Sequence, residues 1–236
     1  PSQGYTSYYA NIGDMNNRGL EIELRLTPIK VKDFEWNVNV NFTTYENTVS
    51  YLPKERKTAL VDGKRGFTSG SYFYGEDCSL YTFHMKKYAG INEKGESMWY
   101  KNITKPINDA EGNQLKDEYG IPMVEILGRE TTTKYNEASD YLCGTALPDA
   151  YGGFGTSFAW KGFDLSVDFS FQIGGQVYDS DYASMMGSPT SNSKGSNIHA
   201  DMLNAWTESK NTNIPRMQFN DQYTAGTSDR FLTDAS

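Results

Sequence analysis

Phe34-Glu35-Trp36-Asn37-Val38-Asn39-Val40-Asn41-Phe42 alternates without an error, apolar at every even number and Glu or Asn at every odd one. Side chains of a strand point alternately to its two faces, so a period of two makes a strand with one apolar and one polar face. The run is about as long as a tilted strand that crosses a bilayer, roughly 9–11 residues. Just upstream, Leu20, Ile22, Leu24 and Leu26 alternate with Glu21, Glu23 and Arg25. Pro28 has no N–H to give a ladder and is expected to end that strand, which leaves 27–33 as a short hairpin connection.

A second hairpin lies around Lys161-Gly162. Phe154, Thr156, Phe158 and Trp160 share one face of the strand before it; Phe163, Leu165, Val167, Phe169, Phe171 and Ile173 share one face of the strand after it. A two-residue turn sets Trp160 opposite Phe163, Phe158 opposite Leu165 and Phe154 opposite Phe169, which puts both apolar rows on the same face. The opposite row, Asp164, Ser166, Asp168, Ser170 and Gln172, is polar. A slip of one residue would destroy this agreement, so it supports the pairing. A weaker third pair has Tyr81, Phe83 and Met85 on one face, runs to Ile91, turns at 92–96 and returns from Ser97 to Tyr100.

The connections at 27–33, 92–96 and 161–162 are short, whereas 47–79, 102–150 and 176–230 are long and polar. That rhythm is expected of an outer-membrane barrel, with short periplasmic turns and long external loops. A soluble β-sandwich explains the alternation but not the rhythm. Phe34 and Trp36 at one end of their strand, Phe42 and Tyr45 at the other, and Tyr151 and Tyr178 at the far ends of the second hairpin read as interfacial girdles.

Composition agrees. The 236 residues include 17 Tyr, 12 Phe, 4 Trp and 22 Gly, which favours strands and turns. The 22 Lys+Arg against 30 Asp+Glu give a net charge of −8, which argues against a nucleic-acid partner, since binding phosphate needs a basic face. No apolar run approaches the ~20 residues of a membrane helix, and a mean hydropathy of −0.65 suits a barrel with polar loops. The first residues carry no signal-peptide pattern.

These motifs resemble the SusC/RagA-like TonB-dependent outer-membrane transporters. The resemblance rests on Asn11-Ile12-Gly13-Asp14-Met15-Asn16-Asn17-Arg18-Gly19-Leu20-Glu21, Phe34-Glu35-Trp36-Asn37, Tyr88-Ala89-Gly90-Ile91-Asn92 and Trp206-Thr207. Its most specific block is Gly144-Thr145-Ala146-Leu147-Pro148 with Tyr151-Gly152-Gly153-Phe154, running into Lys161-Gly162-Phe163-Asp164-Leu165. The matches are collinear over nearly the whole chain. The resemblance implies a multi-pass barrel in the outer membrane of Bacteroidetes, importing oligosaccharides or peptides, with a SusD-like surface lipoprotein and energy from the TonB complex. It also implies a plugged, about 22-stranded barrel, of which residues 1–236 supply an all-β, antiparallel, up-and-down segment of about six strands. The resemblance also implies a signal peptide and a plug domain outside 1–236, and further strands are expected there because an open edge in lipid leaves backbone groups unpaired. A siderophore-type TonB-dependent receptor and a soluble carbohydrate-binding or adhesin sandwich are the alternatives.

Site expectations follow from the faces. Phe34, Trp36, Val38, Val40, Phe42, Phe158, Trp160, Phe163, Leu165, Val167 and Phe169 are expected to face outer-membrane lipid; Asp164 and Asp168 are expected to face the lumen. Substrate contact is assigned to the loop aromatics Tyr72, Tyr74, Tyr141 and Trp206; Phe73, Tyr135 and Tyr223 are candidates of the same kind. No catalytic residues, cofactor or metal are expected: His84 and His199 have no nucleophile in motif, and neither Asp179/Asp181 nor Asp109/Glu111/Asn113/Asp117 fits a calcium loop. Cys78 and Cys143 are either free thiols or a loop-to-loop disulfide.

Overall fold

The computed structural model describes residues 11, 13–188, 195–221 and 226–236; Tyr223 falls outside them. The strands are β1 (Asp14–Val31), β2 (Phe34–Tyr51), β3 (Ala59–Val61), β4 (Lys64–Ser69), β5 (Tyr72–Gly75), β6 (Thr82–Lys86), β7 (Tyr88–Ile91), β8 (Ser97–Pro106), β9 (Val124–Thr132), β10 (Asp140–Thr145), β11 (Ala150–Trp160), β12 (Phe163–Ile173), β13 (Gln176–Tyr178) and β14 (Leu232–Asp234). Among the described residues one short α-helix, α1 (Ser180–Met185), is capped by Asp179, whose carboxylate accepts the Tyr182 N–H.

The two clear hairpins join into one antiparallel sheet in the order β1-β2-β11-β12. Residues directly opposite in such a ladder share a face. The register therefore builds five rungs on one side: Val31–Phe34–Trp160–Phe163, Ile29–Trp36–Phe158–Leu165, Leu26–Val38–Thr156–Val167, Leu24–Val40–Phe154–Phe169 and Ile22–Phe42–Gly152–Phe171. The rungs between them on the other side are polar: Lys30–Glu35–Ala159–Asp164, Arg25–Asn39–Gly155–Asp168 and Glu23–Asn41–Gly153–Ser170. The apolar side chains of β1 and β12, with Phe154 and Trp160, remain exposed on this sheet, from Val167 and Phe171 at 37% to Phe163 at 74%, while those from Phe34 to Phe42 on β2 and Phe158 are half-buried. A soluble sandwich buries such a face; here the cores lie elsewhere.

Both tight turns fall at the same end of the sheet and touch, the Lys161 N–H donating to the Asp33 carbonyl. Lys161 and Gly162 have φ of 46° and 89°. Two positive central φ values make a type I′ turn, whose twist matches the flanking strands. Lys161 takes the place of the usual Asn, and its ammonium lies 5.6 Å from the Trp160 ring centre.

Three expectations change. Pro28 does not end β1: the strand runs to Val31, with a register shift between Leu26 and Ile29. A bulge takes Pro28 out of the ladder, so its missing N–H breaks no pair. The third hairpin is not part of the wall either. β2 pairs directly with β11, so this sheet has four strands rather than about six. The turn at 92–96 does join β7 to β8, but those strands pair with β9 in a separate sheet. The short–long rhythm therefore reduces to two tight turns at one end and two long excursions, 52–149 and 174 onward, at the other. Lastly, the excursions are not plain loops. The first holds a five-stranded sheet, β10-β6-β5-β4-β3, as well as β7-β8-β9.

The excursions carry the cores. Val61, Phe73 and Cys78 form one cluster; Ala183, Met186, Met202, Ala205 and Phe231 form the other. The end of β2 holds the first excursion through Val49, whose N–H donates to Cys78 and whose carbonyl accepts from Asp77. The last excursion is tied to β7 and β8: Asp229 accepts the Tyr88 N–H at 2.7 Å, and Arg216 pairs with Glu96 at 2.9 Å.

The hairpin tip beyond β8 holds a duplicated eight-residue unit that the sequence reading missed. Asp109 accepts the N–H groups of Glu111 and Asn113, and Asp117 those of Tyr119 and Ile121. Gly112 and Gly120 take positive φ at the same place in each unit. The 109–117 carboxylates thus close Asx turns. The second unit docks on the 54–65 part of the same excursion through Asp117–Arg65, with Tyr119 beneath Arg65, Lys54 and Lys57.

Candidate functional site

The faces of the four-stranded sheet are the candidate functional surface. On the apolar face the rings pack across strands: Trp36 stacks on Phe158 at 5.9 Å and Phe154 on Phe169 at 4.7 Å. Thr156 is the only hydroxyl among the five rungs. It accepts the Trp36 indole N–H at 2.8 Å and sits 3.4 Å from the Asn37 carbonyl, so its polarity is satisfied within the sheet. That matters in hydrocarbon, where an unpaired polar group costs several kcal/mol. Beyond the last apolar rung comes Leu20–Thr44–Ala150, and then the Arg18–Glu46 ion pair at 2.9 Å. From Phe34 to Thr44 the strand runs about 34 Å at ~3.4 Å per residue, which a tilt of ~45° reduces to about 25 Å, the height of a barrel's apolar band.

On the polar face, Lys30 pairs with Glu35 at 3.0 Å, Thr27 donates to the Asn37 side-chain carbonyl at 2.7 Å, and Ser166 lies 3.3 Å from Asp168. A concavity of about 470 Å³ runs along this face, lined by Glu23, Arg25, Asn39, Asn41, Gly155 and Ser166 among others. Asp164 and Asp168 lie here. This surface is polar, carries both signs of charge, and is built on strands rather than loops.

The expected substrate aromatics are not brought together. Tyr141 is a strand residue of β10 and only 2% exposed; its hydroxyl donates to Asn102 at 2.6 Å. It is interior packing and has no ring face for a ligand. Tyr72 and Tyr74 belong to β5 and are half-buried, Tyr72 against Phe83 at 5.1 Å and Tyr74 against Phe67 at 5.0 Å. Phe73 is fully buried. Trp206 lies in the last excursion, over Gly95. Tyr135 donates to the Thr227 carbonyl. Tyr45 and Tyr151 also move. Counted along the register they lie on the polar face, with Thr43 and Gln172, and not in a girdle with Phe42 and Phe154.

The titratable groups of the excursions are structural. Cys78 and Cys143 are free thiols. Burial, reinforced by the nearby Asp229 charge, pushes Cys143 up to about 12. Burial lowers His84 below its ordinary value despite Asp140. Among the described residues no three His, Cys, Asp or Glu side chains converge as metal ligands would.

The sheet, with its apolar band, its polar reverse and its turns gathered at one end, has the architecture of a segment of up-and-down transmembrane β-barrel. Comparison with known proteins narrows this. No family model matches the chain. It is 25% identical over 217 residues to TonB-dependent receptor P3 of Formosa agariphila, covering 90% of this chain and 20% of that protein. It is 22% identical over 178 residues to TonB-dependent receptor SusC of Bacteroides thetaiotaomicron, covering 71% of this chain and 15% of that one. Its fold matches a solved structure of the RagAB peptide transporter with a TM-score of 0.69 at 24% identity, over 99% of this chain and 23% of that chain. A RagAB peptide importer in a closed-closed state matches at 0.64. In sequence and fold the chain is SusC-like, similar to part of a TonB-dependent transporter barrel, and it spans about a fifth of the length of the first curated relative it matches.

Proposed function

We propose that this chain is a wall segment of an outer-membrane importer that takes up oligosaccharides, or peptides, by TonB-dependent transport together with a SusD-like surface lipoprotein. Residues 1–236 then form part of the barrel domain, passive in chemistry, with plug and further strands contributed by the rest of the protein. The observation that supports this most is the division of the β1-β2-β11-β12 sheet into five apolar rungs and a polar reverse. The apolar rows from Phe34 to Phe42 and from Phe158 to Phe169 lie against lipid; Asp164 and Asp168 line the lumen. Edge strands β1 and β12 pair with neighbouring barrel strands, since a free edge in hydrocarbon leaves its N–H and C=O groups unmet. A peptide substrate is kept open because the RagAB structures are described as a peptide transporter and importer.

Uptake by the source bacterium tests the proposal. Deleting the gene should abolish growth-supporting import of a specific oligosaccharide or peptide mixture. A TonB deletion or a proton uncoupler should do the same. Import that survives loss of TonB in cells with the intact gene would reject it.

A further inference from the structure

The aromatic pair that changed faces marks a site. Tyr45 on β2 and Tyr151 on β11 meet edge to face on the polar side, ring centroids 6.2 Å apart and planes at 79°. They form a corner, and Tyr151 is 43% exposed. Beside them opens a cavity of about 620 Å³ lined in part by Asn17, Gly19, Glu21, Thr43, Tyr45 and Tyr151. Gly19 is the ladder partner of Tyr45. A Cβ at position 19 would stand 2.9 Å from the Tyr45 Cβ and 2.2 Å from the Thr44 carbonyl oxygen, so only glycine lets the strands close here, and it adds no side chain to the floor.

The polar groups around this corner define the ligand. Asn17 accepts an amide hydrogen from Asn47 and retains two amide donors of its own. Thr43 brings a hydroxyl and Glu21 two acceptor oxygens. The one cation in the lining, Arg18, is held by Glu46 on the opposite face through bonds of 3.0 and 2.9 Å. Nothing in the lining therefore neutralises a phosphate or carboxylate. A ligand that suits the corner carries no negative charge, offers a flat C–H face to lie on tyrosine, and is rimmed by hydroxyls that can pair with Glu21, Thr43 and Asn17. We propose that Tyr45, Tyr151, Glu21, Thr43 and Asn17 form a subsite for a neutral pyranose ring of an oligosaccharide at the loop end of the lumen. The proposal rests on the reading of the polar face as the lumen.

The full-length transporter, purified in detergent, is dialysed against an equimolar pool of neutral hexasaccharides of glucose, mannose, galactose and xylose together with uncharged decapeptides. Mass spectrometry reads what is retained. The wild type should retain at least one hexasaccharide. Tyr45→Ala and Tyr151→Ala should weaken it by about tenfold or more, and Tyr151→Phe, which keeps the ring, by no more than about threefold. Heat-modifiable gel migration checks that each variant is folded. Retention of peptides alone, of no hexasaccharide, or of hexasaccharide equally by the folded alanine variants overturns the subsite; in the last case the corner packs against protein. Energised import is read separately. Bound glycan without TonB-dependent import strikes the proposed function and leaves the subsite. Intact import with unchanged binding by the alanine variants does the reverse.

Discussion

Gly162 holds the tight turn of the second hairpin at φ 89°, and no atom lies within 4 Å of where its Cβ would be. A side chain there meets only backbone strain, because the left-handed region costs an L-residue about 1–2 kcal/mol. Gly162→Ala should therefore lower unfolding stability by about 1 kcal/mol without altering the apolar packing, measured by urea titration of the refolded barrel. Cys143 makes a second residue-scale test. With its thiol pushed up to about 12 by burial, the thiolate fraction near pH 8 is about a thousandfold below that of a free cysteine of pKa ~8.5–9. Iodoacetamide should label it slowly in the native protein, the rate should climb about tenfold per pH unit through the alkaline range, and denaturation should abolish the protection. Rapid native labelling at pH 8 would contradict the half-buried, desolvated placement of the thiol.

At the scale of elements, a change of face should decide the outcome of a charge. Phe154 lies in the middle of the apolar band, opposite Val40 and Phe169, whereas Asp168 stands one position away on the polar face. If the band faces lipid, Phe154→Arg should destabilise the barrel by about 2–4 kcal/mol, and Asp168→Arg by far less, in refolding measurements in bilayers. The same elements explain what the sequence disclosed. β1, β2, β11 and β12 were legible because each has one face in one solvent and one in another, which writes a period of two directly into the chain. In the excursions the β6 row and the 92–96 turn between β7 and β8 were legible, but the partners of β6 were not: Tyr141 meets Met85 across 56 positions, and both are buried. Pro28 misled because a bulge can remove a proline from a ladder, and no sequence period reports a bulge. The site was partly readable. The odd numbering of Tyr45 within β2 and of Tyr151 within β11 already placed them with the polar rows; weighting aromatics at strand ends as girdles hid that. The Asp-x-x-Gly units repeated eight residues apart, at 109 and 117, were equally visible.

In the whole molecule, the sheet forms one wall and the excursions gather at its far end, with their own buried cores. The proposed function sets lipid against the wall's apolar face. Spin labels placed singly at residues 163 to 171 of β12, in the full-length protein reconstituted into bilayers, test this most directly. Collision rates with oxygen, which concentrates in lipid, and with a water-soluble nickel chelate are measured at each position. The account expects strict alternation: oxygen access at Phe163, Leu165, Val167, Phe169 and Phe171, and nickel access at Asp164, Ser166, Asp168 and Ser170. Apolar positions shielded from both reagents, as in a soluble sandwich core, or no alternation at all, would contradict it.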